Sequence, residues 1–519
     1  MKRVGKSLSF QEEYVFWRLA HNLITVQKYR IVQLSQEQNE LWLEKLENKH
    51  AQVIRLLRYD LDWSNWMQND IERTAMNGEN IRKQAARGEI NVINIYVSAY
   101  PPVDDFEYKI AEPFSYPSSG KTKVKTIICD KAHYDDGLQK LGGILHDSIS
   151  FPVNESYSEN EIDAVKLAAL SEATNRVKEE QSLFNHGKPF FTYMFIFIQV
   201  AMFLVLELQG GSTNNSTLIK FGAKFNPLIL EGEWWRFFTP IFLHIGILHL
   251  LMNTLALYYL GSAVERIFGK TRFLFIYLLA GFSGSLASFI FSPSISAGAS
   301  GAIFGCFGAL LYFGVIYPRL FFRTIGFNIL IVLGINLLFG FSMPGIDNAG
   351  HIGGLVGGFL ATGIVHFPKK KKLLLQLLFL CLTAATIIGF LNFGFNEPAR
   401  LVNDQTTLIL AQEYIDTERY EKAENLLSEY EKNGDASAEI YLFLAFAEIQ
   451  LEELQKAKEH LLIAIDKKAN YHEAYYYLAA IYLNEGNLNE ANKYASMAND
   501  IMPNQEDYQK LLNLIREQD

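Results

Sequence analysis

Residues 189–395 form a succession of apolar runs separated by short polar breaks, while residues 1–188 and 400–519 carry most of the charge. The hydrocarbon core of a bilayer takes a helix of roughly 17 to 25 apolar residues, so the middle of the chain reads as membrane-spanning helices. Seven are predicted, at about 189–207, 245–264, 271–291, 299–317, 324–341, 349–367 and 373–394. A mean hydropathy near zero conceals this segregation. The fold expected is mainly α: a polytopic helical membrane core between two polar ends.

The connections after the second, fourth and sixth spans hold Arg266, Lys270 and Arg272, then Arg319 and Arg323, then Lys369, Lys370, Lys371 and Lys372. Those after the third and fifth hold no Lys or Arg. Basic loops stay in the cytoplasm, which places the N-terminal region inside and, after seven crossings, the C-terminal region outside the cell membrane. Ser300 and His351 then both fall at the outer ends of their spans. The long connection 208–244, outside on this reading, contains Trp234, Trp235, Arg236, Phe237 and Phe238. An aromatic segment with one cation suits an interfacial anchor or a gate for substrate.

Several classes are disfavoured. The net charge of −9 is spread over both polar ends without a basic, aromatic-interleaved patch, so nucleic acid is not an expected partner. Cys129, Cys306 and Cys381 are far apart, and neither a disulfide framework nor a Cys-based metal site is expected. After Met1-Lys2-Arg3 no apolar stretch of the signal-peptide kind follows. A transporter is disfavoured because no paired, broken hydrophobic segments recur in two halves.

Polar side chains at membrane depth are costly and mark function. Ser300 lies in Gly298-Ala299-Ser300-Gly301 and His351 in Gly350-His351-Ile352-Gly353-Gly354-Leu355-Val356-Gly357-Gly358. His351, Gly354 and Gly358 share one helix face, and Gly301 with Gly305 offers a matching surface of small residues for close helix contact. If these faces pack, His351 comes within reach of the Ser300 hydroxyl as general base. His249 and Asn253, at i and i+4, share a face of the second span and can donate to a developing oxyanion together with the Ser300 backbone N–H. Asp347 is nearby in sequence but is not recruited as a third member. A serine–histidine acyl-transfer site, hence a protease, is expected.

With these motifs, residues 189–395 resemble the rhomboid family of intramembrane serine proteases, in its bacterial six-plus-one-helix form. The family's Gly-x-Ser-Gly falls on 298–301, its His-x-x-x-Asn on 249–253 and its His-x-x-Gly-x-x-x-Gly on 351–358. Trp235-Arg236 matches the Trp-Arg of the first outer loop, His244 an additional loop histidine, and Leu260-Gly261-Ser262-Ala263-Val264-Glu265-Arg266 the end of the second span. The resemblance implies a Ser300–His351 dyad and an oxyanion hole of His249, Asn253 and the Ser300 amide. It also implies cleavage of single-span membrane substrates near the outer face, without a cofactor. Phe304 stands where the family often has a Tyr stacked on the histidine, and Gly350 where Ala commonly precedes it. The alternative reading is a catalytically silent rhomboid-like protein that binds membrane clients; such a protein is expected to lack Ser300 or His351, and both are present.

The last 120 residues repeat with a period of 34: Leu410-Ala411, Leu444-Ala445 and Leu478-Ala479 recur, as do Ala423, Ala457 and Ala491. This resembles tetratricopeptide repeats, with three helix pairs over about 407–505 and a capping helix near 505–517. Pro503 closes the third repeat, whereas its equivalents are Asp435 and Ala469. Such a solenoid offers a concave surface to an extended peptide or helix, or serves as a spacer or self-association module. Because the membrane core holds every reacting group identified, loss of 400–519 is expected to spare the chemistry and impair a particular client.

Residues 1–180 read as helical up to about 88, with strands at 91–97 and 124–129, hence a small α/β or α+β cytoplasmic domain. A charged helix near 159–182 leads to the membrane. Asp130, His133, Asp135, Asp136, His146 and Asp147 are rich in cation ligands, but their spacing matches no defined site and a solvated loop is expected rather than a metal.

Overall fold

The computed structural model describes residues 10–84, 88–368, 372–432, 434 and 436–518. Met1, Lys2, Arg3, Lys369, Lys370, Lys371 and Asp435 lie outside the described residues. The chain divides into two compact units, Met1–Ser182 and Leu183–Asp519.

The first unit is a six-stranded mixed sheet between helices. It runs α1 (Phe10–Thr25), β1 (Arg30–Leu34), β2 (Glu40–Glu44), β3 (Val53–Arg58), α2 (Ser64–Gln84), β4 (Ile90–Ser98), α3 (Glu107–Ile110), β5 (Phe114–Ser115), β6 (Thr122–Asp130), α4 (Tyr134–Leu145) and α5 (Glu159–Phe184). The strand order is β1-β2-β3-β4-β6-β5, with β3, β4 and β6 parallel. The expected helical stretch up to residue 88 is corrected: β1, β2 and β3 lie within it. β3 is buried at every position, so it lacks the apolar–polar alternation that separates a strand from a helix in sequence. At its centre Arg55 bonds to Glu40, Asp70, Thr74 and Asn94, satisfying a buried charge.

The second unit contains both the apolar helices and the repeats. α6 (Phe191–Leu208) is the first span. The connection after it carries α7 (Asn215–Lys220), α8 (Asn226–Leu230) and two 3₁₀ turns, Trp234–Phe237 and Thr239–Phe242. α9 (Ile247–Ala256) continues through a π turn at Leu257–Gly261 into α10 (Ser262–Phe268) as one apolar helix. α11 (Lys270–Phe291), α12 (Ser300–Ile316), α13 (Pro318–Thr324), α14 (Gly326–Ser342), α15 (Asn348–Val365) and α16 (Leu373–Asn396) follow. α12 has only 17 residues, and α13 and α14 form a pair bent by 74°.

Two features hold this bundle. Glu265, fully buried on α10, accepts from the backbone N–H groups of Phe190, Phe191 and Thr192 at 2.9 Å and from the Thr192 hydroxyl at 2.7 Å. It thus caps the first turn of α6, whose N–H groups have no acceptor within the helix. At the centre, α15 packs against α11 and α12 along small residues, while α14 and α16 turn most of their apolar surface outward; only 6% of the apolar stretch of α16 is buried within the protein.

The repeats are three helix pairs: α17 (Asp404–Asp416) with α18 (Tyr420–Glu431), α19 (Ala438–Gln450) with α20 (Leu454–Lys467), and α21 (His472–Asn484) with α22 (Leu488–Ile501). A last helix, α23 (Glu506–Gln518), covers the end. The first helices begin at 404, 438 and 472, reproducing the 34-residue period. Ala411, Ala445, Ala479, Ala423, Ala457 and Ala491 are all fully buried, which lets the helices cross closely.

Candidate active site

Ser300 opens α12, and His351 is in the first turn of α15. The two helices start at the same end of the bundle, where α11 finishes. His351 Nε2 lies 2.8 Å from Ser300 Oγ. This distance depends on the glycine seam between the helices: a Cβ on Gly354 would overlap the Gly301 backbone, and one on Gly358 the Gly305 backbone. Each would force the helices apart and separate the two side chains.

The imidazole is oriented by packing. The Phe304 ring stacks on His351 with centroids 4.3 Å apart and planes 9° apart. His351 Nδ1 is buried and has no hydrogen-bond partner among the described residues. Asp347 is engaged elsewhere, since its carboxylate accepts from Gly350 N at 2.8 Å and caps α15. With Nε2 accepting the serine proton, the neutral ring carries its hydrogen on Nδ1.

His249 and Asn253 project from α9 on the same side. Gly298 has φ +154°, and a Cβ there would sit 2.7 Å from His249 Cε1, so glycine brings the serine-bearing loop against the imidazole. Asn253 Nδ2 donates to His249 O at 3.0 Å. An amide nitrogen has two hydrogens, which leaves one for another acceptor. His244 is fully buried, with its ring 5.3 Å from that of His249.

Trp235 and Arg236 lie in the 3₁₀ turn Trp234–Phe237 of the connection. The expectation that this segment is an interfacial anchor with its cation in the headgroups is corrected for Arg236, which is 3% exposed. Its guanidinium donates to Ile219 O at 2.8 Å, Ala223 O at 3.0 Å and Glu233 Oε2 at 2.5 Å, and lies over the Trp235 ring. Burial pushes its pKa down, opposed by Glu233. Arg236 therefore folds the connection by satisfying carbonyls that would otherwise be buried unpaired. Trp234 remains exposed.

Lys224 and Asn226 carry no distinguishing sequence signal, since Lys220 lies four residues before Lys224 in the same apolar stretch. Lys224 is fully buried, and its Nζ donates to the carbonyls of Ser292 at 2.7 Å, Ser294 at 2.8 Å and Ser288 at 3.4 Å. Burial pushes it down to about 7, with Asp347 opposing. Asn226 Nδ2 donates to Leu401 O at 2.7 Å, Phe289 O at 3.0 Å and Ser292 O at 3.3 Å.

The expected solvated loop of the first unit is corrected: Asp130 ends β6, Asp135 and Asp136 lie in the first turn of α4, and His146 and Asp147 follow that helix. Asp130 meets His133 Nδ1 at 3.0 Å, and Asp147 accepts from Gln27 and Ser148. Among the described residues, Glu424, Glu448 and Glu453 of the repeats come within 4.8 Å of one another, but Lys456 lies 2.5 Å from Glu453 and 3.9 Å from Glu424. An ion-pair network accounts for them.

Residues 231–368 match the family description "Rhomboid domain". "Rhomboid protease GluP" of Bacillus subtilis (strain 168) is 41% identical over 474 residues, covering 91% of this chain and 92% of its own. "Putative rhomboid protease YdcA" of the same organism is 35% identical over 150 residues, 28% of this chain and 75% of its own. The solved structure "Crystal structure of MamA" aligns with 24% of this chain and 72% of its own at 26% identity, with a TM-score of 0.23.

Proposed function

The chain belongs to the rhomboid family, and from that premise we propose that Ser300 and His351 are the catalytic dyad of this intramembrane serine protease. The observation that carries the reading is the 2.8 Å approach of His351 Nε2 to Ser300 Oγ across two separate apolar helices. His351 takes the hydroxyl proton as Ser300 Oγ attacks the scissile carbonyl carbon. The Ser300 N–H, in the first turn of α12 and without an intrahelical acceptor, donates to the oxyanion with His249 and the second hydrogen of Asn253 Nδ2. His351 then passes the proton to the leaving amine, and a water molecule releases the acyl group from Ser300 by the reverse sequence.

The substrates are transmembrane segments of single-span proteins, cut near the end of the bundle at which α12 and α15 begin. That end faces outward and the first unit lies in the cytoplasm, because Arg266, Lys270 and Arg272 sit at the opposite end. His244 supports His249, and Trp235 and Arg236 shape the connection beside the site. The solenoid offers its concave face to a protein partner. The three parts are the cytoplasmic residues 1–180, the protease 189–395 and the external repeats 400–519. The test is cleavage of a single-span reporter by the intact protein and by Ser300→Ala, with cysteine labelling on each side of the membrane for orientation. Cleavage that survives Ser300→Ala, with contaminating protease excluded, rejects the dyad in favour of a different nucleophile, whereas no cleavage by the intact protein favours the silent, client-binding alternative.

A further inference from the structure

We infer that the first tetratricopeptide repeat, through its contact with the 215–231 stretch, is a positioning element for Ser300 and not only a recruiter of clients. The inference rests on the reading of Ser300 as nucleophile. Three layers of contact lead from the repeat to the serine.

The outermost is the docking of the repeat. The Tyr414 hydroxyl of α17 lies 2.7 and 2.8 Å from the two carboxylate oxygens of Glu231 at the end of α8. Leu410 and Tyr414 share one apolar cluster with Ile219, Phe225 and Leu228, and Ile295 packs against the same cluster. Ile295 belongs to the segment that leads into Ser300. Burial and the Glu231 carboxylate both push the Tyr414 phenol pKa up, which keeps it a donor.

The middle layer is the clamp. Lys224 and Asn226 flank Phe225, a member of that cluster, and their side chains reach the last carbonyls of α11 and the segment beyond it. A cation donating to the final carbonyls of a helix is a favourable C-terminal cap. Three carbonyl acceptors engage all three hydrogens of the ammonium. Asn226 also holds Leu401 O, so the chain entering the repeats is tied to the same point.

The innermost layer is backbone. Lys224 N donates to Ser296 O at 2.8 Å and Ser296 N to Lys224 O at 3.0 Å, and Gly298 N donates to Pro240 O at 2.9 Å. Residues 292–298 are thereby fixed to the connection on both sides of Ile295, the last tie, at Gly298, lying two residues before the nucleophile. The first repeat thus completes the support of the segment that presents Ser300.

The experiment uses the full chain in detergent micelles with a short single-span peptide that lacks any segment for the repeats. Two quantities are read: kcat and KM for the peptide, and the rate at which a fluorophosphonate labels Ser300. Lys224→Met is expected to lower kcat and the labelling rate by about 10- to 100-fold, the scale of a misplaced reacting group, with KM little changed. Glu231→Ala and Tyr414→Phe are each expected to lower both rates about two- to tenfold. Because they break one contact, the double variant falls no further than the more damaging single one. Unchanged labelling and kcat in the Glu231 and Tyr414 variants overturn the inference, and they decide it should Lys224→Met fail to fold. A fall confined to KM overturns it as well and assigns the repeat to capture of substrate. Failure of the dyad itself has a different signature, namely no labelling of Ser300 in the unaltered protein.

Discussion

Helices cross at close quarters both in the membrane core and in the repeats, and they do so with different residues. Where α12 meets α15, glycine faces glycine: Gly301 against Gly354 and Gly305 against Gly358, and a methyl group on Gly354 or Gly358 would overlap the opposing backbone. In the repeats the crossings are made by alanine, with leucine and tyrosine filling the space around it. The media explain the contrast. Lipid is as apolar as the side chains, so association there depends on backbone-to-backbone closeness, whereas in water the burial of alanine and leucine is itself favourable. The core gains a chemical benefit from its solution, since the same closeness brings His351 to Ser300.

The largest expected effect separates chemistry from packing at the seam. Ser300→Ala is expected to abolish hydrolysis of a single-span reporter while the melting curve stays unchanged. His351→Ala is expected to do the same, and the double variant to be little worse, because the pair acts as one unit. Asn253→Ala is expected to lower kcat by about 10- to 1,000-fold, the range for one oxyanion donor, with KM nearly constant. A large KM effect with normal kcat would place Asn253 in substrate binding instead.

Mirror-image substitutions sharpen the comparison. Gly354→Ala adds a methyl where the Gly301 backbone already lies and is expected to cost about 1–3 kcal/mol by overpacking, lowering both the melting temperature and kcat. Gly389→Ala on α16, where nothing lies within 4 Å, is expected to be neutral or slightly stabilising. Ala457→Gly in α20 removes a buried methyl and is expected to cost about 1 kcal/mol in the melting of the repeats, with no effect on kcat. Equal responses at 354 and 389 would dissolve the distinction between the seam and the lipid-facing helix.

The smallest effect belongs to the repeats alone. Burial lowers the His460 pKa, but its hydrogen bond to Glu448 and the charges of Glu448 and Glu431 raise it more, so the net shift is upward from 6.5. A raised folded value means that the stabilisation is fully present below the unfolded pKa of 6.5 and is lost as pH rises through the folded value. The melting temperature of the repeats is expected to fall over that window, and His460→Gln to flatten the slope.

Much of the membrane fold and site was legible in the sequence because lipid imposes strict rules. Long apolar runs, costly polar residues and small-residue spacing point to the seam and to Ser300 and His351, whereas Phe304 against the imidazole is implied only by the family resemblance. The 34-residue period located the helix pairs for a similar reason, since each repeat must bury the same face. Local pattern was silent where long-range partners decide. β3 hides its alternation because both faces are covered. Lys224 finds its acceptors more than 60 residues away, and Arg236, which an interfacial anchor would hold in the headgroups, turns inward to carbonyls. The Tyr414–Glu231 contact spans 183 residues and leaves no trace in either segment alone.

α16 offers most of its surface to lipid, so the last span is a slender tether for the solenoid that follows it. A pull on the far end of the repeats would act in parallel on that tether and on the Tyr414–Glu231 contact, which leads directly into the segment before Ser300. A load carried by the repeats would therefore be shared between α16 and the connection at α7 and α8. With Ser300 as the proposed nucleophile and a client held by the repeats, tension in that client would bear on the segment that presents the serine.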